Sequence, residues 1–339
     1  MLQIKEKVSL KPYNTFGIDV YGNFFVEIRS VEDFRELTGS EVYRNHKKLI
    51  LGGGSNVLFT RDFDGLVIKN NLRGIELVSE NDEEVIIKAS AGETWHDFVM
   101  YCIERGYAGL ENLSLIPGSV GASPMQNIGA YGVEIRDYFH ELEAYSMDTA
   151  ERRVFNRQEC EFGYRESVFK HRYKDQFLIA TVSFRLNKKP VINTTYGAIN
   201  AELRVMGVSS PGIKEVSDAV IRIRQSKLPD PRVTGNAGSF FKNPEVSAAV
   251  YETLKQRFEN LVAYPLENGR YKLAAGWLIE QTGLKGFERQ GAAVHDRQAL
   301  VLVNKNQARG SDVLELSAYV IGQVSEKFGV TLEREVNIL

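Results

Sequence analysis

Pro117-Gly118-Ser119-Val120-Gly121-Ala122-Ser123-Pro124-Met125-Gln126-Asn127-Ile128-Gly129-Ala130-Tyr131-Gly132 is dense in glycine and carries no amphipathic period. It reads as an ordered loop, because no helical or strand spacing of apolar residues runs through it. Its glycines permit positive φ and close approach of backbone to a ligand. Pro117 and Pro124 stiffen the frame. Several N–H groups on such a turning backbone form a nest for anions such as phosphate. Taken alone, the stretch is either that or a plain surface loop.

Upstream, Leu51-Gly52-Gly53-Gly54-Ser55-Asn56-Val57-Leu58 turns between two apolar, strand-like runs within residues 47–59. The spacing is not that of a dinucleotide fingerprint and no helix start follows, which excludes a Rossmann turn. No G-x-x-x-x-G-K-[ST] occurs, which excludes a P-loop. Two readings stay open: a hairpin turn, or a tight turn that brings N–H groups to a pyrophosphate.

The remaining chain supports a soluble, multi-domain reading. Its 339 residues suffice for two or three domains, and 43% hydrophobic with 25% charged residues is ordinary for a globular protein. A net charge of −2 gives no electrostatic footprint for nucleic acid or an anionic membrane. No apolar run is long enough for a bilayer, and residues 1–12 alternate apolar and charged positions, unlike a secretory signal. Cys102 and Cys160 form no C-x-x-C, which points to a reducing, cytoplasmic compartment and no structural zinc. The histidines lack metal-ligand spacing, so no metal site is expected.

Strands are expected at 24–28, 66–69, 75–78, 85–91, 138–146 and 176–186. Ser30 with Asp33 and Thr94 with Asp97 are capping-box patterns that open helices. Residues 187–190 form a polar break and a plausible domain boundary. Beyond it, Ile213, Val216, Val220 and Ile223 line one helix face. Further helices are expected at 247–259, 273–282 and 312–328, a strand pair at 292–295 and 299–303, and a closing strand at 331–338. Strands early and helices later give an α+β chain.

Four places carry side chains suited to chemistry. Residues 222–242 hold Arg222, Arg224, Lys227, Arg232 and Lys242 against Asp230 alone. This local basic excess suits an anionic small molecule, or is a solvated helix flank. Ser239 follows Gly238 with no G-x-S-x-G elbow and no histidine near it in sequence, so its hydroxyl is a proton donor or hydrogen-bonding group, or a plain turn residue. Tyr164-Arg165 couples a phenol to a permanent cation, able to stabilise a developing carboxylate or enolate charge or to form a surface ion pair. Glu333 and Glu335 would share one side of the closing strand, where a partly buried carboxylate could exchange protons; the alternative is a charged edge strand.

In order along the chain, Asn14-Thr15-Phe16, Leu51 to Asn56, the opening loop, Phe162-Gly163-Tyr164-Arg165, Gly238-Ser239-Phe240-Phe241-Lys242-Asn243-Pro244 and Ala274-Ala275-Gly276-Trp277-Leu278-Ile279 match one pattern. With these motifs and the terminal Leu332-Glu333 and Glu335-Val336, the sequence resembles the UDP-N-acetylenolpyruvoylglucosamine reductase family, in its longer subtype with a substrate-capping tyrosine.

The resemblance implies an FAD-binding fold of the p-cresol methylhydroxylase/vanillyl-alcohol oxidase type and a smaller α+β C-terminal substrate domain. Expected boundaries are 1–70 and 71–210 for two FAD-binding subdomains and 211–339 for the substrate domain, with the last strand packing on either part. The implied reaction is UDP-N-acetylmuramate dehydrogenase chemistry in peptidoglycan synthesis, with NADPH as hydride donor; another flavin oxidoreductase acting on a sugar or alcohol is the alternative. Cofactor contacts are implied for Gly52, Gly53, Gly54, Ser55, Asn56, Pro117, Gly118, Ser119, Gly121, Ala122, Gln126, Asn127, Gly129, Ala130, Tyr131, Gly132 and Arg165. Neither glycine loop holds a histidine, so the FAD is expected to be non-covalent. Ser239 is implied as proton donor, with Arg165 and Glu335 stabilising the intermediate. Tyr164, Tyr196, Lys227, Asn243, Tyr264, Lys285 and Gln298 are implied substrate contacts. The expected partner is this sugar nucleotide alone, met by a monomer without nucleic acid or membrane. One position departs from the family: Asn337 stands where an arginine is common.

Overall fold

The computed structural model describes residues 2–339. The chain forms two compact units, and neither is a continuous stretch of sequence. The first comprises the chain's start up to Val8, Gly22–Gly54 and Phe63–Ser226. The second comprises Ser9–Tyr21, Ser55–Asp62 and Lys227–Leu339.

Two sheets carry the first unit. In the smaller, Phe63–Asn70 lies between Tyr21–Ile28 and Lys48–Leu51 and pairs parallel with both. Parallel strands need covered faces, and Val26, Ile28, Leu66 and Ile68 are buried against Phe34 and Leu37 of helix Val31–Thr38. That helix opens with the expected capping box. Asp33 N donates to Ser30 Oγ at 3.0 Å, and Ser30 N donates to Asp33 Oδ2 at 3.1 Å. A cap of this kind contributes about 1 kcal/mol.

The larger sheet is antiparallel, in the order Arg152–Asn156, Phe139–Ser146, Phe177–Asn187, Glu84–Ser90, Ile75–Glu80. Strand Glu84–Ser90 alternates strictly, burying Val85, Ile87 and Ala89. Helix Trp95–Glu104 covers this face, and Trp95 and Phe98 meet Phe184 at ring distances of 5.7 and 5.3 Å. Thr94 precedes that helix but makes no side-chain cap bond, so the second capping-box expectation fails. Strand Arg152–Asn156 was not expected; its burial is one-sided and brief.

The polar break at 187–190 lies inside the first unit, where Asn187 and Ala108 exchange backbone bonds at 3.0 and 2.8 Å. Helix Ile213–Lys227 packs with that unit as far as Ser226, burying Val216, Ala219, Val220 and Ile223 against Ile199 and Leu203 of helix Gly197–Val205.

The second unit has an antiparallel sheet ordered Gly235–Ser239, Val301–Asn304, Ala292–Val294, Glu288–Arg289 and a three-stranded sheet around Tyr271–Leu273. Helices Ala248–Arg257, Ala275–Gln281 and Gly310–Phe328 fall where expected. Residues 331–338 do not form one strand. Only Asn337–Ile338 pairs, parallel to Val57–Leu58, and Arg334 bridges singly to Phe241. The common-face expectation for Glu333 and Glu335 therefore loses its basis.

Candidate active site

The loop 117–132 is built, not slack. Residues Val120–Gln126 wind into a 3-10 turn with Pro124 inside, so the expectation of a loop free of helix is corrected. Ser123 Oγ donates to Val120 O at 2.7 Å within it. Gly129–Ala130 then pairs with Val133–Glu134. Asn127 sits at φ 45°, a left-handed conformation that asparagine tolerates. Its side chain donates to Glu134 Oε2 at 2.9 Å and Gly163 O at 3.0 Å, and accepts from Arg136 N at 3.1 Å. Asn127 thus ties the loop to the segment carrying Tyr164 and Arg165.

Gly52-Gly53 lies directly against Gly118-Ser119. A Cβ on Gly53 would stand 2.9 Å from Gly118 Cα, and one on Gly52 would overlap Ser119 Oγ. A Cβ on Gly121 would overlap Ala91. These glycines are required because two backbones approach within a side chain's width. The hairpin reading of the first glycine turn is overturned, since Lys48–Leu51 pairs with Phe63–Asn70 whereas Val57–Leu58 pairs with Asn337–Ile338. The turn leaves one unit at Gly54 and enters the other at Ser55.

Beside these loops lies a cavity of about 140 Å³ within the first unit, lined by Gly52, Asn70, Ser119, Gly121, Ala122 and Ile179 among others. Lys69 Nζ donates to Gly52 O at 2.5 Å and so holds the first glycine turn. Burial lowers the Lys69 pKa, with Arg73 adding to the effect and Glu27 opposing it. Backbone from two glycine turns, with no Cβ between them, suits the phosphate part of a dinucleotide. The residues present fit FAD on this observation.

Tyr164 and Arg165 occupy the tip of a tight reversal in which Gly163 and Glu166 exchange backbone bonds at 3.0 and 3.3 Å. Arg165 has φ 56°, a strained value for a non-glycine residue. Such strain persists where surrounding structure imposes it. Here Lys170 Nζ donates to Arg165 O at 3.0 Å, and the guanidinium stands 5.7 Å from the Tyr164 ring centre. Tyr131, also at positive φ, meets Tyr196 edge-on at 5.2 Å. Tyr196 precedes helix Gly197–Val205 and is 43% exposed.

Sequence reasoning missed the residues that hold this region from outside the motifs. Arg224 Nε donates to Leu115 O at 3.2 Å, and Leu115 N donates to His96 Nδ1 at 3.0 Å. Leu115, at φ 58°, is thereby fixed just ahead of Pro117. Burial disfavours the charged form of Arg224; a hydrogen bond with the Tyr131 phenol supports the cation and nearby Arg165 opposes it. Burial likewise lowers the His96 pKa. Arg224 stood in the basic run, but no local pattern marked it off from its neighbours.

The basic run is otherwise largely neutralised. Arg232 pairs with Asp230 at 2.7 Å, Lys242 with Glu333 at 2.6 Å, and Arg222 lies 3.9 Å from Glu202. Arg222 and Arg224 belong to the first unit, and Lys227, Arg232 and Lys242 to the second.

In the second unit, Ser239 ends strand Gly235–Ser239 beyond a register shift, with Gly238 at φ 69°. Gly238 N donates to the buried Asn236 Oδ1 at 2.9 Å, which fixes the bend. Phe240 N donates to Leu300 O, and Glu335 N donates to Phe240 O, both at 2.8 Å. Ser239 and Glu335 are thus brought to neighbouring backbone positions. Asn337 donates through both N and Nδ2 to Asn56 O at 3.1 and 2.9 Å, and Asn56 Nδ2 lies 3.4 Å from Glu335 O.

Two carboxamides beside this strand share one arrangement. Asn243 Oδ1 accepts from Ala275 N at 2.9 Å, and Gln298 Oε1 accepts from Leu300 N at 3.4 Å. Each amide oxygen accepts from backbone, which orients its NH₂ group as a donor pointing the other way. Lys285 pairs with Glu280 at 2.8 Å, Tyr264 on strand Ala263–Pro265 is 47% exposed, and Lys227 begins this unit's main segment. Among the described residues no cluster of three or more His, Cys, Asp or Glu could hold a metal. No helix among them is long and apolar enough to cross a membrane. Burial raises the pKa of both cysteine thiols.

Residues 23–153 match the FAD binding domain family, and residues 230–339 match the C-terminal domain of UDP-N-acetylenolpyruvoylglucosamine reductase. A UDP-N-acetylenolpyruvoylglucosamine reductase of Pseudomonas savastanoi pv. phaseolicola is 50% identical over 337 residues, 99% of each chain. One of Flavobacterium johnsoniae is 48% identical over 339 residues, 100% of each. The crystal structure of the Thermus caldophilus reductase shares the fold, with TM-score 0.70 and 23% identity over 100% of this chain and 99% of that one. With half its residues shared along nearly its whole length, the chain belongs to the UDP-N-acetylenolpyruvoylglucosamine reductase family.

Proposed function

We propose that the protein reduces UDP-N-acetylglucosamine enolpyruvate to UDP-N-acetylmuramate with NADPH and FAD, a reductive step of peptidoglycan synthesis. The observation that carries this reading is the second unit's junction, where Ser239 and Glu335 flank the Phe240 carbonyl. FAD, when bound, supplies the hydride relay between NADPH and the enolpyruvyl carbon C3. Gly52, Gly53, Gly54, Gly118, Ser119, Gly121 and Ala122 would hold it through backbone approach, with Tyr131 and the remaining loop residues shaping the rest. We assign the glycine loops of the first unit to the cofactor, and Ser239, Asn243, Tyr264, Lys285 and Gln298 of the second to the sugar nucleotide.

An alkene conjugated only to a carboxylate accepts hydride poorly, so the negative charge arriving beside that carboxylate must be stabilised. We assign this to the Arg165 guanidinium together with Glu335. The Ser239 hydroxyl donates the proton to C2 and closes the reaction. Positioning falls to hydrogen-bond donors: Asn243 and Gln298 through their NH₂ groups, Lys227 and Lys285 through ammonium groups, Tyr164 and Tyr264 through phenols. Tyr196 closes over the diphosphate. We further propose that the protein works as a monomer. Two buried thiols and no disulfide suit a cytoplasmic setting.

The test is an anaerobic visible spectrum of the FAD-loaded protein. Addition of NADPH should bleach the flavin bands, and UDP-N-acetylglucosamine enolpyruvate should restore them. Bleaching without recovery rejects the substrate; no flavin bands after reconstitution reject the cofactor.

A further inference from the structure

Gln298 closes a short turn, His295-Asp296-Arg297-Gln298, between strands Ala292–Val294 and Val301–Asn304. The turn is held at three points. His295 N donates to Val301 O at 2.9 Å, Val301 N donates to Gln298 O at 3.0 Å, and Gln298 N donates to His295 Nδ1 at 3.2 Å. The first two bonds are backbone pairing that any residue supplies. The third depends on the imidazole, which is only 9% exposed.

Because Nδ1 accepts, the neutral ring carries its proton on Nε2, which faces Asp296 Oδ1 at 3.3 Å. Burial lowers the His295 pKa, with Asp296 opposing and Arg297 adding to the effect. The Gln298 side chain is fixed from its other end. Its Oε1 meets Leu300 N, and a Cβ on Gly276 would stand only 3.0 Å from that oxygen. The carboxamide is therefore oriented by Leu300, by room at Gly276 and by the turn that His295 closes.

We propose that His295 is a positioning residue for substrate binding: its Nδ1 fixes the Gln298 backbone so that the Gln298 Nε2 donor is aimed at an acceptor oxygen of the sugar nucleotide. This rests on the reading of Gln298 as a substrate contact. His295 itself touches no reacting atom. Its contribution is to remove conformational freedom that the bound state would otherwise lose.

The experiment compares H295F, H295N and Q298A as FAD-loaded proteins. Asparagine places an amide oxygen near the position of Nδ1; phenylalanine keeps a ring and removes the acceptor. H295F should raise KM for UDP-N-acetylglucosamine enolpyruvate about fivefold, the worth of one hydrogen bond, with flavin reduction by NADPH unchanged. H295N should keep KM within about twofold of the parent, and H295F/Q298A should bind no worse than Q298A, since both act on one contact. If H295F does not fold, H295Q takes its place, its longer amide misplacing the acceptor. Unchanged KM in the acceptor-deleted variant, equal defects in H295N and that variant, or additive losses in the double variant would overturn the proposal. Unchanged KM in Q298A would instead remove the substrate contact itself, and the proposal with it.

Discussion

The surfaces we assign to cofactor and substrate in the two units are made in opposite ways. In the first, the glycine loops work by omission: Gly53 lies against Gly118, and Gly121 against Ala91, with no room for a side chain between them. In the second, Asn243 and Gln298 work by commitment: backbone N–H groups occupy their oxygens, and their NH₂ groups remain. A surface of bare backbone tolerates no added atom. A surface of half-committed side chains tolerates a change of size better than a change of polarity.

The sharpest test of the second surface is Ser239→Ala. Loss of a positioned proton donor should slow transfer to the substrate about 10²–10⁴-fold. Flavin reduction by NADPH should remain, as read by anaerobic stopped flow; equal loss of both half-reactions would remove Ser239 from the proton-donor role. The corresponding test of the first surface is Gly121→Ala. The added methyl overlaps Ala91, and overpacking of this kind costs about 1–3 kcal/mol. FAD affinity should fall about tenfold or more by fluorescence titration, and an unchanged affinity would mean that the loop yields freely.

Asn243→Asp sharpens the contrast further. It keeps an acceptor for Ala275 N and turns the outward donor into an anion. KM for the sugar nucleotide should rise about tenfold with little change in thermal stability, and a lowered KM would contradict the donor assignment. The smallest effect concerns pH. His96 and His295 both have lowered pKa values, so the unfolded chain binds more protons between their folded values and the ordinary value of about 6.5. Stability should rise with pH across that window and fall on acidification. His96→Asn should flatten the slope of Tm against pH by no more than a few degrees; an unaltered slope would assign it to the carboxylates.

The sequence was most legible where function is written in contiguous backbone. Both glycine loops and the Gly238-Ser239 turn were visible because glycine marks turning backbone directly, whereas Tyr164-Arg165 stood out only by its side chains. The strands at 66–69, 85–91 and 176–186 were visible through their apolar content and alternation. What failed was pairing. Val57–Leu58 resembles half of a hairpin, yet its partner is Asn337–Ile338. Nothing local encodes a partner 280 residues away, as the bond from Thr60 N to Leu339 O at |i−j| of 279 illustrates. The basic run does not announce its acidic partners either: Glu202 and Glu333 take up Arg222 and Lys242. The supports supplied by Lys69, His96 and Arg224 carry no motif, because a buried cation inside a strand or helix reads as a solvated one.

The second unit is not a C-terminal fragment. Phe16, Leu58 and Phe59 are wholly buried in it, Asn304 Nδ2 donates to Phe16 O at 3.0 Å, and the last residues pair with Val57–Leu58. During synthesis these early segments leave the ribosome long before their partners exist. Their apolar side chains must wait, exposed, until residue 338 has been made. Long-range closure of this kind folds slowly and leaves hydrophobic surface open to aggregation. Removing residues 337–339 would therefore unseat segments early as well as late in the sequence, and separately expressed 227–339 would require a supplied peptide spanning 9–21 and 55–62 to complete its core.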